Sequence, residues 1–575
     1  LQGVYIPFSS VSGATVQGAL DEDTMWSARD AVLFVVEDVL VSQGITLTIM
    51  PGVEIRFSPD VELVVEGTLE VMGNRSHPVI FTSVNAFPGM GNWGGLRLKN
   101  IDDITTLNWA IVEYSTLGVY ADLGRVEIKN CVVRWNLEAG VMSRLGAIKI
   151  HNSSILGNKG SGVYSFGYDP RNKKTEIINS IVRENGDFGV FVVNDRSCRT
   201  KIINNTISDN WLSGIYLESE GRGRTDVIGN TLTGNNRRRV LSGSKSDWGE
   251  GGLVFTVGVM DEYNILYNFI SGNGADGVNI YLEKSEGCEV TIVGNHIEGN
   301  LENGITIEKG PGYHGSVAMK DMNIIENGGF GAKIAIGSIE HSRIYSNIEG
   351  QLANLGEEPF NAAHNWWGTQ DEDLIAEGVF DSSDDSAYGP VEYMPFLEEP
   401  TQGRLWVSDS MSLSGDDVEI HGTISPCPLG MVAQITLTDP MMNETQFTVL
   451  SQDARNFTIP FTPVAVGTWN IHGEWSDRLT NTDKQREGIT LQIKNPSFRG
   501  TLRLTVIDKS SSPLAGVKLR LSHNTGADVI ERVTDIEGTL DLGDLDEGGY
   551  LISLTKSGYL DVSASIQVER ETPSE

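Results

Sequence analysis

The side chains best suited to chemistry fall in three places. The stretch "GNNRRRVLSGSKSDWGEGG" (234–252) carries Arg237, Arg238, Arg239 and Lys245 beside Asp247, Trp248 and Glu250. Cationic groups next to an indole can hold an anionic sugar or a protein partner by charge pairing and ring stacking. "DSSDDSAYG" (381–389) holds Asp381, Asp384 and Asp385, spaced so that their oxygens can meet Ca²⁺, although the full EF-hand pattern is missing. Acids also recur at Glu184, Asp209, Glu298 or Glu302, and Glu326. A lyase needs clustered acids to hold Ca²⁺ and an Arg or Lys to take a proton. A hydrolase needs two or three carboxylates at a set separation. The recurring acids form a stripe but no clear triad, so solvated turn positions are expected there, with weak cation binding second. Solvated loops are the plainer reading of the other two segments. Arg237, Arg238, Arg239, Lys245 and Trp248 are kept as candidate ligand-binding residues, and Asp381, Asp384 and Asp385 as a candidate Ca²⁺ site. No catalytic residue is assigned. The nine His residues form no H-x-x-x-H or H-E-x-x-H pair, and there is no G-x-S-x-G and no phosphate-binding loop.

The elements that must position these groups are repeats. The template N-x5-N-x3-G fits Asn130, Asn136, Gly140; Asn152, Asn158, Gly162; and Asn179, Asn185, Gly189. It continues through Asn204 or Asn205, Asn210, Gly214; Asn268, Asn273, Gly277; Asn295, Asn300, Gly304; and Asp321, Asn327, Gly331. Degraded copies start at Asn108, Asn230 and His341. Successive second Asn residues lie roughly 20–27 positions apart, which marks a solenoid. After each Gly, apolar residues alternate: Val190 and Val192; Ile215 and Leu217; Val278, Ile280 and Leu282; Ile305 and Ile307. That period of two is a strand with one buried face. Each repeat therefore reads as one coil of a parallel β-helix. Asn136, Asn158, Asn185, Asn210, Asn273, Asn300 and Asn327 are expected to stack as an amide ladder, because Asn tolerates left-handed backbone and bonds its neighbours. Gly is expected to supply positive φ or close backbone approach at the corners. The segment 234–252 breaks the period by about a dozen residues, and a long loop on a rigid scaffold is where function tends to sit.

The chain has 575 residues and a net charge of −34, with 77 acids against 43 Lys and Arg. Such a surface argues against nucleic acid as a partner and suits a secreted protein. The four cysteines, Cys131, Cys198, Cys288 and Cys427, make no C-x-x-C pair and no disulfide framework. No apolar run is long enough to span a membrane. The first residue is Leu and no signal segment is visible, so a mature or trimmed product lacking its signal and any anchor is expected.

Three segments carry a resemblance: "PGVEIRF" with "GTLEVMG", then "WGGLRL", and later "HNWWGTQDEDLIAEGVFDSSDDSAYGPVEYMPFL" (364–397). Together with the Asn-Gly coils they resemble extracellular right-handed β-helix surface proteins. The coils are similar to the repeats of pectate lyases and NosD-like periplasmic proteins, and the end segments to the β-helix modules of bark beetle (Anakonda) junction proteins. Trp366 and Trp367 are expected to cap the open solenoid end, a sugar platform being the alternative. Residues 398–402 read as a linker. Short alternating strands over 403–494 give an Ig-like β-sandwich. Residues 499–569 resemble the carboxypeptidase regulatory-like (transthyretin-like) sandwich, through Pro513 to Gly516, Asp535 to Gly538, Gly549-Tyr550 and Gly558-Tyr559. That resemblance implies a spacer or stalk.

The expected protein is all-β: a right-handed parallel β-helix with capped ends (1–397) followed by two β-sandwiches. Its expected role is structural or adhesive and non-enzymatic, at the cell surface, with a glycan or cell-surface protein as partner and Ca²⁺ as the one cofactor entertained. The alternative is a polysaccharide lyase, hydrolase or epimerase acting on acidic glycans. A metal-delivery role of the NosD type lacks the His, Met and Cys cluster it would need.

Overall fold

The computed structural model describes residues 4–5, 14–27, 32–100, 103–167, 174–194, 199–219, 223–238, 250–257, 262–283, 288–313, 315–408, 411–450, 455–479, 485–494, 499–508, 511–523, 529–546, 548–557, 559 and 561–568. One coil shows how the sequence sets the fold. Strand Lys174–Ile178 alternates, with Thr175 and Ile177 turned inward. Asn179 then turns the chain at φ 51° and Ser180 points into the core. Strand Ile181–Arg183 follows, Glu184 makes a second turn at φ 56°, and Asn185 again points inward. After a short corner, strand Val190–Asn194 closes the coil. Each strand pairs in parallel with its counterparts in the coils on either side, as Ile177 does with Ile150 and Ile202. The stack builds one sheet of sixteen strands and another of twenty-seven, all parallel, around one continuous apolar core that runs from Trp26 to Val391.

An amide ladder runs along the inside of the helix, and it is longer than the template indicates. Asn158 donates to Asn185 Oδ1 from its backbone N–H at 3.2 Å and from Nδ2 at 3.0 Å. The same side-chain bond, at 2.9–3.1 Å, links Asn136, Asn158, Asn185, Asn210, Asn235, Asn273, Asn300, Asn327 and Asn347 in turn. Gln351 Oε1 closes the row at 3.0 Å. Because each Oδ1 accepts twice, burying the amides leaves few polar atoms unsatisfied.

The first Asn of the template divides into two columns. Asn130, Asn152, Asn179 and Asn204 hold the left-handed turn at φ 51–56°. Asn205, Asn230, Asn268 and Asn295 lie one position later and form a second inward ladder, with side-chain bonds of 2.9–3.0 Å. Turning and laddering are thus separate duties of adjacent residues, and in "NN" at 204–205 each Asn takes one. The left-handed role of the other turn falls to Glu184, Asp209 and Glu326. The corner glycines serve close approach, not positive φ. A Cβ on Gly162 would lie 2.7 Å from both Gly189 O and Asn185 Nδ2 of the next coil.

The two exit tryptophans diverge. Trp367 is buried in the end of the core with Phe360, Ile375 and Val379, and its ring meets Tyr393 edge-on. Trp366 is half-buried and extends a strand column, pairing with Arg343. The cap is therefore Trp367 together with Ile375 of the short helix Glu372–Glu377.

Beyond the helix, strands between Gln402 and Lys494 make a three-stranded and a five-stranded sheet around their own core, which includes Ile420, Ile435, Trp469 and Trp475. Strands between Arg499 and Val568 make a two-stranded and a four-stranded sheet over a small core of Leu519, Leu521, Leu542, Tyr550 and Ile552. The first of these units folds back onto the helix wall. Arg343 and Asp477 form an ion pair in which both side chains are 0% exposed. Arg455 Nη1 meets Asp321 Oδ2 at 2.6 Å, and Cys427 N–H donates to Asp321 Oδ1 at 3.3 Å. Ser425 Oγ lies 3.1 Å from His341 Nδ1, and Leu429 N–H donates to Gly294 O at 2.8 Å. The reading of 398–402 as a simple linker contained nothing of this clasp.

Candidate binding groove

The strand that follows the corner Gly of each coil carries an outward column in strict register. Arg97, Tyr120, Met142, Tyr164, Phe191, Tyr216, Val254, Asn279, Thr306 and Lys333 follow one another down the helix. A side chain at a given coil position stacks on its counterparts because neighbouring parallel strands sit about 4.8 Å apart. Tyr164, Phe191 and Tyr216 use that spacing. Their rings are stacked at 4.8 and 5.0 Å, with interplanar angles of 7° and 6°. Phe188, from the corner before the strand, packs against Phe191 and Tyr216 at 5.0 and 5.4 Å. Phe191 and Tyr216 are 5% and 4% exposed, so they form the foundation of the array, while Tyr164 is half-open.

At the Tyr164 end lies a groove of about 620 Å³. Met142, Tyr164 and Phe191 form one wall, and Leu137, Phe188 and Leu212 of the corners form the other. Glu138, Lys159 and Asp187 stand at its rim. Desolvation by the walls raises the Asp187 carboxyl above the ordinary carboxylate range, although the residue as a whole is exposed. Beyond Met142 the column reaches an ionic cluster. Asp122, buried, pairs with Arg97 at 3.1 Å and with Arg144 at 2.8 Å. Burial pushes the Asp122 carboxyl up, but the bonds from Arg97 and Arg144 outweigh it and hold the group below its usual range. Asp122 is thus a fixed carboxylate, unsuited to donating a proton near neutral pH.

The expected site residues are not gathered there. Arg237 is exposed and Arg238 half-buried at the start of the insertion, whose backbone bonds to the coil below through Arg238 N–H and Trp211 O at 3.0 Å. Asn236 N–H likewise bonds Leu212 O at 2.9 Å, so the insertion leaves the helix beside the end of the groove. Arg239, Lys245 and Trp248 lie outside the described residues. Asp381, Asp384 and Asp385 do not converge on a common point. Asp381 accepts from Ser383 and Val391 N–H, Asp384 from Asp381 N–H, and Asp385 from Ala387 N–H, so these carboxylates cap turns. Among the described residues no group of three or more His, Cys, Asp or Glu is gathered as a metal ion would require. Asp276 is the most enclosed acid of this face. Burial raises its carboxyl, and bonds from Asn303 and Asn279 at 2.9–3.1 Å fix it as a corner clamp.

The aromatic array was missed in the sequence although its signal is present. "GVY" (162–164), "GVF" (189–191) and "GIY" (214–216) place a ring two residues after the corner Gly in three successive repeats.

The matches to known proteins agree with this fold. A family model described as "Right handed beta helix region" matches residues 94–285, and one described as "Pectate-lyase like beta helix domain" matches residues 18–117. The solenoid is a right-handed parallel β-helix. No curated protein matches the sequence. Among solved structures, the group B streptococcus pilus 2b backbone protein is 16% identical with a TM-score of 0.14, over 29% of this chain and 90% of that one. A periplasmic alginate epimerase is 11% identical with a TM-score of 0.24, over 64% of this chain and 75% of that one. A bacterial ice-binding adhesin is 11% identical with a TM-score of 0.16, over 30% and 64%. Likenesses this low carry no argument about activity.

Proposed function

We propose that this chain is a non-enzymatic, adhesive surface protein, a stiff β-helical rod that holds a partner along its wall. The observation that carries the reading is the groove at Met142, Tyr164 and Phe188, an open apolar channel on a fully paired scaffold. Its floor cannot flex, so a partner is held by preformed contacts. The groups around it suit binding better than turnover. Asp122 is neutralised by two arginines, and the two acids of the groove lining, Glu138 and Asp187, are exposed residues at its rim beside Lys159. The strong negative charge and the appended β-sheet units suit display at a cell surface.

The reading is tested by incubating the intact chain with neutral and acidic polysaccharides, with and without Ca²⁺, while following product formation and binding together. A second version has residues 236–250 replaced by a short Gly-Ser turn. No product is expected from any polysaccharide, whether or not it binds. Product release from any polysaccharide would overturn the reading in favour of a glycan-processing enzyme.

A further inference from the structure

We infer that the groove takes an extended, basic polypeptide segment with one aromatic side chain seated between Met142 and Tyr164. The inference rests on the binding-rod reading and names its occupant. Four observations lead to it.

The first is the lining. Leu117, Leu137, Met142, Phe188 and Leu212 are hydrocarbon or thioether surfaces, and the polar side chains of the lining are Ser161, the Tyr164 hydroxyl and the exposed rim residues Glu138, Lys159 and Asp187. A sugar chain brings several hydroxyls per ring, and each one left unpaired on a dry wall costs affinity. A peptide keeps its polar groups on the backbone and offers apolar anchors, and thioether and leucine walls adapt to such anchors.

The second is the interrupted column. Tyr164, Phe191 and Tyr216 are stacked nearly parallel at coil spacing, and the next place is held by Met142. A planar side chain resting on Met142 and against Tyr164 adds a fourth member, and sulfur–aromatic and ring–ring contacts both favour it.

The third is charge. The lining holds two acids, Glu138 and Asp187, against one base, Lys159, and the whole chain carries −34. That field draws in cationic partners and repels acidic polymers.

The fourth is shape. The lining spans the coils of Leu117, Leu137, Tyr164, Phe188 and Leu212. At about 4.8 Å per coil this is about 19 Å, the length of about six extended residues. Every floor strand already has a partner on both sides, as Val163–Gly167 has Val141–Arg144 and Val190–Asn194. The segment therefore lies across the coils, held by side chains, and adds no strand.

The test uses the full chain and two probe sets. One is a pool of Lys- and Arg-rich dodecapeptides with a fixed central Trp, alongside matched pools with Ala for Trp or Glu for the basic residues. The other is a panel of soluble neutral and acidic oligosaccharides. Enrichment from the basic Trp pool alone is expected, and Met142→Glu and Leu137→Glu should each weaken the enriched peptide at least tenfold. Both side chains are half-buried and point out of the coil, and circular dichroism and melting confirm the fold of each variant. An oligosaccharide that binds and is lost in Met142→Glu, with no peptide enriched, would overturn the peptide assignment and leave the rod reading intact. Peptide binding that both variants leave unchanged would overturn the groove as the site. No binding from either set would overturn both.

Discussion

Two buried polar systems lie on either side of the helix wall, and they are built on opposite plans. Inside, the Asn ladder repeats one bond from coil to coil, each Oδ1 accepting from the backbone N–H and the Nδ2 of the preceding residue. Outside, the docked β-sheet unit is held by the Arg343–Asp477 pair, by Asp321 with Arg455, and by scattered hydrogen bonds from Cys427, Ser425 and Leu429 that repeat no common unit. The ladder leaves its amides satisfied. Around the clasp, Arg343 Nε and Nη1 and Asn323 Oδ1 are buried with no hydrogen-bond partner among the described residues. A repeated polar group spreads its desolvation over a network, whereas a lone buried pair concentrates it. The ladder should therefore be tolerant in parts and strong as a whole, and the clasp brittle at one point.

The sharpest way to break this contrast is Arg343→Ala. It removes the cationic partner of the buried Asp477 carboxylate, whose Oδ1 keeps the Leu479 N–H at 2.8 Å, and should cost about 3–5 kcal/mol. In denaturant the docked unit should separate in its own transition, and small-angle scattering should show a longer particle. The double replacement Arg343→Met with Asp477→Leu should recover most of that loss, because a packed apolar pair avoids the desolvation altogether. A double variant as unstable as the single one would show that the pair supplies more than charge balance.

Next in size is Asn185→Ala. It removes the acceptor for Asn158 and a donor to Asn210. Each stranded buried group costs about 1–3 kcal/mol. Asn347→Ala, near the end where Gln351 closes the row, should cost clearly less. Urea melts of the two variants give the comparison. Equal losses would mean that the ladder does not act as a network.

The smallest effect separates the two regions by pH. Burial, with Lys320 and His364 nearby, lowers His341 below its ordinary 6.5. A neutral imidazole is thus favoured in the docked state, so its contribution is complete above about pH 6.5 and falls away as the pH drops below that. Asp321 acts in the opposite sense: burial raises its carboxyl above 3.8, so protonation in that range partly restores the clasp. On the helix, hydrogen bonds from Lys129 and Lys149 hold Glu127 at about 2, against an ordinary 4.5. That contribution is present above pH 4.5 and is lost only as the pH falls from 4.5 toward 2. Acid titration followed by scattering and circular dichroism should loosen the clasp before the helix, and His341→Gln should flatten the early part. Simultaneous loss of both would contradict the assignment.

What the sequence disclosed follows the same division. The coils were legible because a solenoid repeats its physics: Asn158 means the same as Asn185, and seven copies with three degraded ones correct one another. The one-residue offset between Asn204 and Asn205 was passed over, since turn and ladder both call for Asn and only the spacing to the second Asn, six residues at Asn179 and five at Asn268, tells them apart. The clasp was hidden because Arg343, Asp321 and Asp477 each occur once, and no spacing links residue 343 to residue 477. The aromatic array lay between these cases. Tyr164, Phe191 and Tyr216 occupy three successive repeats, Met142 separates them from Tyr120, and the rings differ in type, which a search for Asn and Gly passes over. The charged insertion drew attention because it breaks the pattern, yet a break in a pattern reports only on length. The turns at Glu184, Asp209 and Glu326 show the same trap, acids whose recurrence reflects backbone geometry.

The groove is the central claim, and its most direct test is the dissociation constant of the enriched basic peptide for three proteins: the intact chain, Met142→Glu, and the chain with 236–250 shortened. The loop-shortened chain should bind within twofold of the intact one, and Met142→Glu at least tenfold more weakly. The reverse order would contradict the account and place the contact surface on the insertion.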